Sequence, residues 1–146
     1  DHRDLHSFPT RRSSDLSLHE RHLSRQIIDE RGILTVHVPE ACWLEQVDFC
    51  GVHSGHEVDK TNVFPHRLQQ GFVIIDEMPI NLLCKVRSKV QVEKRVIYIV
   101  EVNEMILKSG VSLQNLESLR TILYGLNNRY YACGEEMGEG YFTAKK

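Results

Sequence analysis

The sequence contains no apolar run long enough to cross a bilayer. Its unbroken apolar runs, such as residues 72–75 and 96–100, fall far short of the roughly 20 residues that a spanning helix needs. No secretory apolar region stands near the start. A basic excess is also missing, because 18 Lys and Arg against 20 Asp and Glu give a formal net charge of −2. We therefore expect neither a membrane nor a nucleic-acid partner.

Cysteine is sparse, and its spacing excludes the common motifs. The four cysteines form no CxxC pair. This usage fits reduced thiols better than a disulfide framework, and we expect a soluble, cytoplasmic protein. The sequence also contains no P-loop, no GxGxxG motif and no evident Ser-His-Asp constellation, so the usual nucleotide and acyl-transfer motifs do not explain it.

The length of 146 residues predicts one domain. Residues 1–16 show no apolar periodicity, and the stretch from Phe8 to Leu16 resembles a translated sequencing adapter. We therefore expect residues 1–16 to be a non-native segment, with a natural disordered tail as the alternative. Residues 17–146 are expected to form the fold.

Period-two alternation is the main structural signal in that part. Alternate positions of residues 80–87 and 95–103 place apolar side chains on one face of each segment, which predicts two half-buried antiparallel strands. These side chains are Ile80, Leu82, Cys84 and Val86 in the first segment and Val96, Tyr98, Val100 and Val102 in the second. The β-branched run 33–38 predicts a third strand, and residues 105–107 continue the second after a kink. Strands outnumber helices, so the predicted class is mainly β and most consistent with a barrel.

Short helices are predicted between the strands. The first begins at Ser24 and ends at Gly32, a left-handed stop. A second is predicted over residues 41–50, where apolar side chains recur at helical spacing before a glycine. Loops are expected over residues 61–70 and 124–146.

The most informative segment is Ser54-Gly-His-Glu57 and the residues after it. A serine followed three residues later by glutamate is a capping box, which predicts a helix that starts near Gly55. The free N–H groups at such a start attract anions, and Lys60 lies one turn further on. The alternative is an ordinary capped helix without a ligand.

Five segments in chain order resemble motifs of one protein family. Ser54-Gly-His-Glu-Val-Asp-Lys60 resembles the Ser-Gly-Arg-Asp-Val-Asp-Lys stretch of flavin reductase–like, FMN-binding split-barrel proteins. The other four segments resemble family motifs in the same order, at residues 24–39, 78–85, 97–102 and 123–135. The part from about Ser17 to the C-terminus is therefore identified as a member of this family, without the family's opening strands.

Several residues depart from the family's motifs. Histidines replace an arginine at His56 and an asparagine at His37. Val100 stands where the family has glycine, and Thr61 stands where it has phenylalanine.

The resemblance implies an antiparallel Greek-key split β-barrel with short peripheral helices, incomplete at its N-terminus. It also implies one bound FMN per subunit, NADH or NADPH as the electron donor, and a homodimer with each flavin pocket near the subunit interface.

By resemblance, three groups of residues bind the cofactor. The helix-start group consists of Ser54, Gly55, His56, Asp59 and Lys60. Lys60 is expected to make a charge-assisted contact with the flavin or its phosphate. The phosphate-binding edge consists of Ser17, His19 and Ser24, with His19 in place of the family's arginine. The third group is Tyr131 or its neighbour Tyr130, which closes over the ring or, alternatively, packs in the core.

Two activities and one inactive state follow from the resemblance. The first is an NAD(P)H-dependent flavin reductase, and the second is a non-enzymatic FMN-binding electron-transfer protein like flavoredoxin. The third is an inert fragment without flavin. No side chain need act as acid or base, because the flavin itself carries the chemistry, so no catalytic residue is predicted.

Pairs of histidines offer a different interpretation. His19 and His22 are three residues apart, as are His53 and His56, and this spacing can place two imidazoles on one metal ion. No third ligand joins either pair, so no metal site is predicted.

Overall fold

A computed structural model of the chain describes residues 13–145. The strands are β1 (Ser13–His19), β2 (Ile33–Val38), β3 (Arg67–Gln69), β4 (Phe72–Ile74), β5 (Ile80–Val92), β6 (Arg95–Leu107), β7 (Ile122–Tyr124) and β8 (Tyr130–Ala132). The α-helices are α1 (Leu23–Arg31) and α2 (Leu44–Val52). Single 3-10 turns occupy Ala41–Trp43, Leu116–Ser118 and Phe142–Lys145.

A four-stranded antiparallel sheet in the order β1-β6-β5-β2 carries the fold. Its centre is the hairpin of β5 and β6, whose pairing shifts register between Leu83 and Cys84 and again between Val86 and Ser88. Such bulges bend a strand and increase its twist, so the sheet curls into a half-barrel. The predicted class, mainly β and of the split-barrel type, is confirmed.

One face of the sheet holds the larger core. Val96, Tyr98, Val100 and Val102 of β6 are all buried, as their alternation predicts. Ile28 of α1 packs against this face and is the one buried residue of its helix. The helix ends at Gly32 in the left-handed conformation, with φ 69° and an N–H bond to the carbonyl oxygen of Ile28, so the predicted stop is confirmed.

The opposite face is also covered, which the sequence pattern did not indicate. Asn81 and Leu83 were predicted to lie on the open face of β5, yet they are only 1% and 2% exposed. The β3–β4 hairpin packs Phe72 onto Leu83. The Asn81 side chain is satisfied by the backbone of Ile75, from which it accepts one hydrogen bond (2.9 Å) and to which it donates another (3.0 Å). The prediction of a half-buried β5 is wrong for Asn81 and Leu83, because the β3–β4 hairpin covers that part of the second face. It is confirmed for Lys85 and Arg87, which are exposed on the same face.

Several predicted boundaries also differ. Strand β1 includes residues 13–16, which the sequence analysis excluded, whereas residues 1–12 lie outside the described part. The adapter origin of residues 1–16 stays a prediction. Strand β3 lies in the predicted loop 61–70, and the β7–β8 hairpin lies partly in the predicted loop 124–146. Strands of three residues give too short an alternation to detect.

The second helix extends further than predicted. Residues 41–43 form a 3-10 turn, and α2 then runs through Gly51, which had been expected to stop it. His53 follows as the C-cap. Within residues 13–145, no helix has the length and apolar content that crossing a bilayer requires.

A polar contact joins α1 to the sheet. The Tyr98 hydroxyl donates a hydrogen bond to Asp29 Oδ1 at 2.7 Å, and Arg25 and Lys89 approach the same carboxylate at 3.0 and 3.2 Å. The hydrogen bond from Tyr98 is the main reason why the pKa of Asp29 lies below its ordinary value of 3.8. Burial, with the Asp29 contact adding to it, raises the pKa of Tyr98 to about 12.

The lowered pKa of Asp29 predicts an acid-dependent stability. Because the folded state favours the ionised carboxylate, its contribution is present above the unfolded pKa of about 3.8 and is lost as the pH falls through the lower folded value. Asp29→Asn should reduce the free energy of unfolding by roughly 1 kcal/mol near neutral pH. Urea unfolding at several pH values should show this difference shrinking in acid, and shrinking less in a Tyr98→Phe background. A difference that stays constant down to about pH 2 would contradict the assignment.

Thr35 on β2 predicts a stabilising substitution. Its Oγ1 is buried, and within the described residues it neither donates nor accepts a hydrogen bond. A buried hydroxyl without a partner costs about 1–3 kcal/mol. Thr35→Val keeps the β-branched shape and should raise the midpoint of urea unfolding, whereas Thr35→Ser keeps the hydroxyl and should lower it. Destabilisation by valine would show that Oγ1 has a partner such as a buried water.

Candidate functional site

A groove lies between the amino end of α1, the carboxyl end of α2 and the segment that follows α2. Its volume is about 610 Å³, within the range of small-molecule sites. Its walls are residues 22–24 with Ile27, residues 50–55, and residues 58–61. We call it the helix groove.

The segment after α2 forms a turn and not the predicted helix. The carbonyl oxygen of Ser54 accepts hydrogen bonds from the N–H groups of Glu57 and Val58, both at 3.0 Å, and no further helical bond follows. Ser54 Oγ accepts from the N–H of His56 at 3.2 Å, whereas a capping box would use that of Glu57. The capping-box prediction was wrong, because one turn without a packed apolar face does not propagate.

The glycine of this turn serves packing between protein segments. A Cβ added at Gly55 would lie 3.1 Å from Cδ2 and 3.3 Å from Cβ of Leu23. The absence of a side chain therefore lets the turn approach the first residue of α1. Gly55, which the resemblance assigns to cofactor binding, thus also has a packing role within the protein.

Lys60 reaches into the groove wall and holds the end of α2. Its Nζ donates a hydrogen bond of 2.7 Å to the carbonyl oxygen of Cys50, in the last turn of that helix. A lysine at this position satisfies a carbonyl that has no partner in the helix and complements the negative end of the helix dipole. The ammonium keeps two further donors.

Asp59 stabilises the same turn by a local contact. Its Oδ1 accepts hydrogen bonds from the hydroxyl and the N–H of Thr61, at 2.7 and 2.9 Å. These bonds, the hydroxyl's first, hold the pKa of Asp59 below its ordinary value. The groove therefore presents a carboxylate beside the Lys60 cation.

Of the nine predicted site residues, the structure brings five together in the walls of the groove. They are Ser24, Ser54, Gly55, Asp59 and Lys60. His56 stands beside them without lining the groove, and its Nε2 bonds the carbonyl oxygen of Arg21 at 3.0 Å.

The two predicted residues on β1 lie elsewhere. Ser17 is exposed on the strand, and its neighbours Leu16 and Leu18 pack against the core. His19 Nδ1 accepts a hydrogen bond from the N–H of Arg21 at 3.1 Å. Neither residue lines the groove, so this part of the predicted phosphate-binding edge stays a prediction.

The predicted tyrosine also lies away from the groove. Tyr131 is 46% exposed on β8, and its hydroxyl accepts a hydrogen bond from Asn127 Nδ2 at 2.7 Å. The neighbouring Tyr130 donates to Asp48 Oδ1 of α2 at 2.8 Å, which raises the pKa of the Tyr130 hydroxyl. Closure of either ring over a flavin stays a prediction.

Sequence reasoning missed several wall residues. The wall residues that were not predicted to bind the cofactor include His22, Ile27, Cys50, His53 and Val58. Ile27 could have been found, because it sits one residue before the buried Ile28 and so faces the edge of the helix contact. His22, Cys50 and His53 enter the site because the ends of two helices meet, and Val58 enters it with the turn that follows α2.

A second cavity of about 590 Å³ adjoins the helix groove and shares Ser24, Ile27 and Lys60 with it. Its walls are mainly apolar residues of α1, β1, β2 and β4. His37 lines it and bonds the carbonyl oxygen of Val73 at 3.0 Å, and burial lowers the pKa of this histidine.

The histidine pairs do not assemble a metal centre in the part of the chain described. The rings of His19 and His22 lie 5.9 Å apart, while His53 stacks on Phe49. Over residues 13–145, no group of three His, Cys, Asp or Glu side chains could hold an ion.

Solved structures with the same fold include two flavoredoxins and a flavin reductase. Flavoredoxin from Methanosarcina acetivorans superposes with a TM-score of 0.84 at 22% identity, over 91% of this chain and 75% of that one. Flavoredoxin of Desulfovibrio vulgaris (Miyazaki F) gives 0.79 at 18% identity, over 90% and 75%. The flavin reductase of styrene monooxygenase from Pseudomonas putida S12 gives 0.69 at 16% identity, over 86% and 73%.

A search of curated protein sequences gave no match. The profile of the family described as "Flavin reductase like domain" matches residues 15–132. This stretch contains the whole helix groove. It also contains all four strands of the main sheet, except for the first residues of β1. Since the match spans most of the sequence, the chain belongs to the flavin reductase–like family and has a flavin-related function.

Proposed function

We propose that the chain binds FMN in the helix groove and that the family's NAD(P)H-dependent flavin reduction takes place there. The observation that carries this proposal is the meeting of five predicted cofactor residues, including the cation Lys60, in one cavity of suitable volume. FMN combines an anionic phosphate with a planar, largely apolar ring. The groove offers complementary features to both parts.

For the phosphate, the groove provides donors at the amino end of α1. Residues 22–24 line the groove and belong to the N-cap and first turn of this helix, where N–H groups have no helical partner. Such an end favours anions, and the hydroxyl of Ser24 adds a donor. Asp59, in the wall formed by the turn after α2, would repel a phosphate placed beside it. These charges favour the phosphate near α1.

For the ring, the groove provides apolar surface and a cation. Leu23, Ile27 and Val58 contribute apolar side chains to its walls. Lys60 would donate to a polar edge of the ring or to the phosphate through the donors that Cys50 leaves free. The residues present therefore fit the cofactor.

The chemistry that bound FMN supplies is hydride acceptance from NADH or NADPH and electron release to an acceptor. The chain's own residues bind and orient the cofactor. None of the groove's side chains has to transfer a proton for this, so the absence of an assigned catalytic residue is consistent with the proposal.

The second candidate is an electron-transfer protein that carries FMN without acting as a reductase. Two flavoredoxins superpose with higher TM-scores than the styrene monooxygenase reductase, which favours this candidate as far as the fold goes. Both candidates use the same groove. The homodimer and the cytoplasmic location implied earlier stay predictions.

Replacing Lys60 tests the cofactor site. Lys60→Met removes the cation and its donors, and a charge-assisted hydrogen bond is worth about 1.5–3 kcal/mol, so the dissociation constant for FMN should rise about tenfold or more. FMN binding is measured by the absorption and fluorescence changes of added FMN. Lys94→Met, at the exposed β5–β6 turn, is the matched control and should bind like the wild-type chain. Equal binding by all three would exclude Lys60 from the site.

Stopped-flow reduction separates the two candidates. After loading with FMN, the chain is mixed with NADH or NADPH under anaerobic conditions, and the visible absorbance of the oxidised flavin is followed over time. A reductase should bleach within seconds at a rate that rises with nicotinamide concentration. Bleaching no faster than that of free FMN would favour the electron-transfer protein. Failure to take up FMN at all would contradict both and identify an inert fragment.

A further inference from the structure

His56 occupies the position of the family's arginine but contacts the protein backbone. Its Nε2 lies 3.0 Å from the carbonyl oxygen of Arg21, which directly precedes the N-cap of α1. A carbonyl oxygen only accepts, so Nε2 must carry the hydrogen. The side chain therefore ties the turn after α2 to the start of α1, across 35 residues of sequence.

A packing contact beside this hydrogen bond supports the same connection. Gly55 sits so close to Leu23 that an added Cβ would be 3.1 Å from the nearest atom of that side chain. The N–H of His56 bonds Ser54 Oγ at 3.2 Å, which fixes the conformation of the turn just before the histidine. The hydrogen bond between His56 and Arg21, which we call the His56 tie, thus joins two segments that are both locally ordered.

The C-terminal end of the turn is bonded to α2. Lys60 Nζ bonds the carbonyl oxygen of Cys50 in α2 at 2.7 Å. The turn is therefore held at one end to α1 by His56 and at the other end to α2 by Lys60. The helix groove lies between these two attachments.

We infer that His56 is a positioning residue that sets the spacing between the amino end of α1 and the turn, and thereby makes the groove select FMN over flavins without a phosphate. This inference rests on the proposed function. The histidine acts through Arg21 and does not itself touch the ligand. Its loss would let the α1 end of the groove widen, where the donors for a phosphate stand.

The ring contacts should depend less on this tie. Ile27 and Val58 are held by α1 and by the turn's bond to Ser54, and Lys60 keeps its bond to Cys50 without His56. A ligand that lacks the phosphate, such as riboflavin, should therefore lose little when His56 is replaced. The ratio of the two affinities is the quantity that a general loss of stability would not change.

The test compares His56→Ala, His56→Gln and the control His66→Ala with the wild-type chain. Glutamine places an amide N–H at about the reach of Nε2 and should restore the bond to Arg21. The His66 ring bonds the carbonyl oxygen of Phe64 in its own loop, so its replacement should leave the groove intact. Each variant is titrated with FMN and with riboflavin, and its amide hydrogen exchange is measured without ligand.

For His56→Ala we expect FMN affinity to fall about fivefold to tenfold while riboflavin affinity changes less than about twofold. Faster exchange should appear in residues 54–60 and at the start of α1, and glutamine should reverse both effects. Unchanged FMN-to-riboflavin selectivity in the alanine variant would overturn the inference, provided that the wild-type chain binds FMN.

Failure of the proposed function gives a different result. If the wild-type chain binds neither flavin, the proposed function and the selectivity assigned to His56 are both rejected. The hydrogen-exchange measurement still tests whether His56 holds the turn against α1, because it needs no flavin. Unchanged hydrogen exchange in His56→Ala would show that the bond from His56 to Arg21 does not hold the turn in place.

Discussion

The antiparallel pairing of β5 with β6 positions every other element of the main sheet. β1 adds to the outer edge of β6, and β2 adds to the first half of β5. The two register shifts in this pairing bend the sheet, so that α1 can pack on one face and the β3–β4 hairpin on the other. A straight ladder would leave one of these faces without its cover.

The same pairing reaches the helix groove through α1. Tyr98 of β6 donates to Asp29, and Ile28 packs on the β6 side chains, so the helix is fixed to the sheet by a polar and an apolar contact. Its amino end then forms one wall of the groove. The turn after α2 forms the facing wall and is bound to both helices by His56 and Lys60.

Two of the departures from the family's motifs have a common physical consequence. His37 and His56 each use Nε2 to bond a backbone carbonyl oxygen of a distant segment, that of Val73 and that of Arg21. In both cases a ring nitrogen connects elements that no strand pairing connects directly. A histidine can do this while neutral, so neither bond requires an added charge.

Long strands could be predicted from the sequence because burial of one face imposes a period of two over many residues. Tyr98 and the other buried residues of β6 show this clearly. Gly32 marked the end of α1 because the backbone there is left-handed, a conformation that glycine adopts without strain. The turn at Ser54 was misjudged because a capping box specifies how a helix starts and not whether it continues. The β3–β4 hairpin is too short to leave a periodic pattern.

The site was predictable only in part, for a related reason. The motif from Ser54 to Lys60 identified one wall, since those residues are contiguous in sequence. On the facing wall Ser24 was predicted, whereas the contribution of His22 depends on how α1 docks on the sheet, which no local pattern encodes. Ser17 and Tyr131 were assigned by resemblance alone, and the strand and hairpin that carry them place both outside the walls of the groove.

The central claim is that the groove between α1, α2 and the turn binds FMN. The most direct measurement is a titration of the ¹⁵N-labelled chain with FMN, followed by its ¹H–¹⁵N correlation spectrum. The account predicts chemical-shift changes concentrated in residues 22–27 and 50–61. Changes confined to the β7–β8 hairpin, or no changes at saturating FMN, would contradict it.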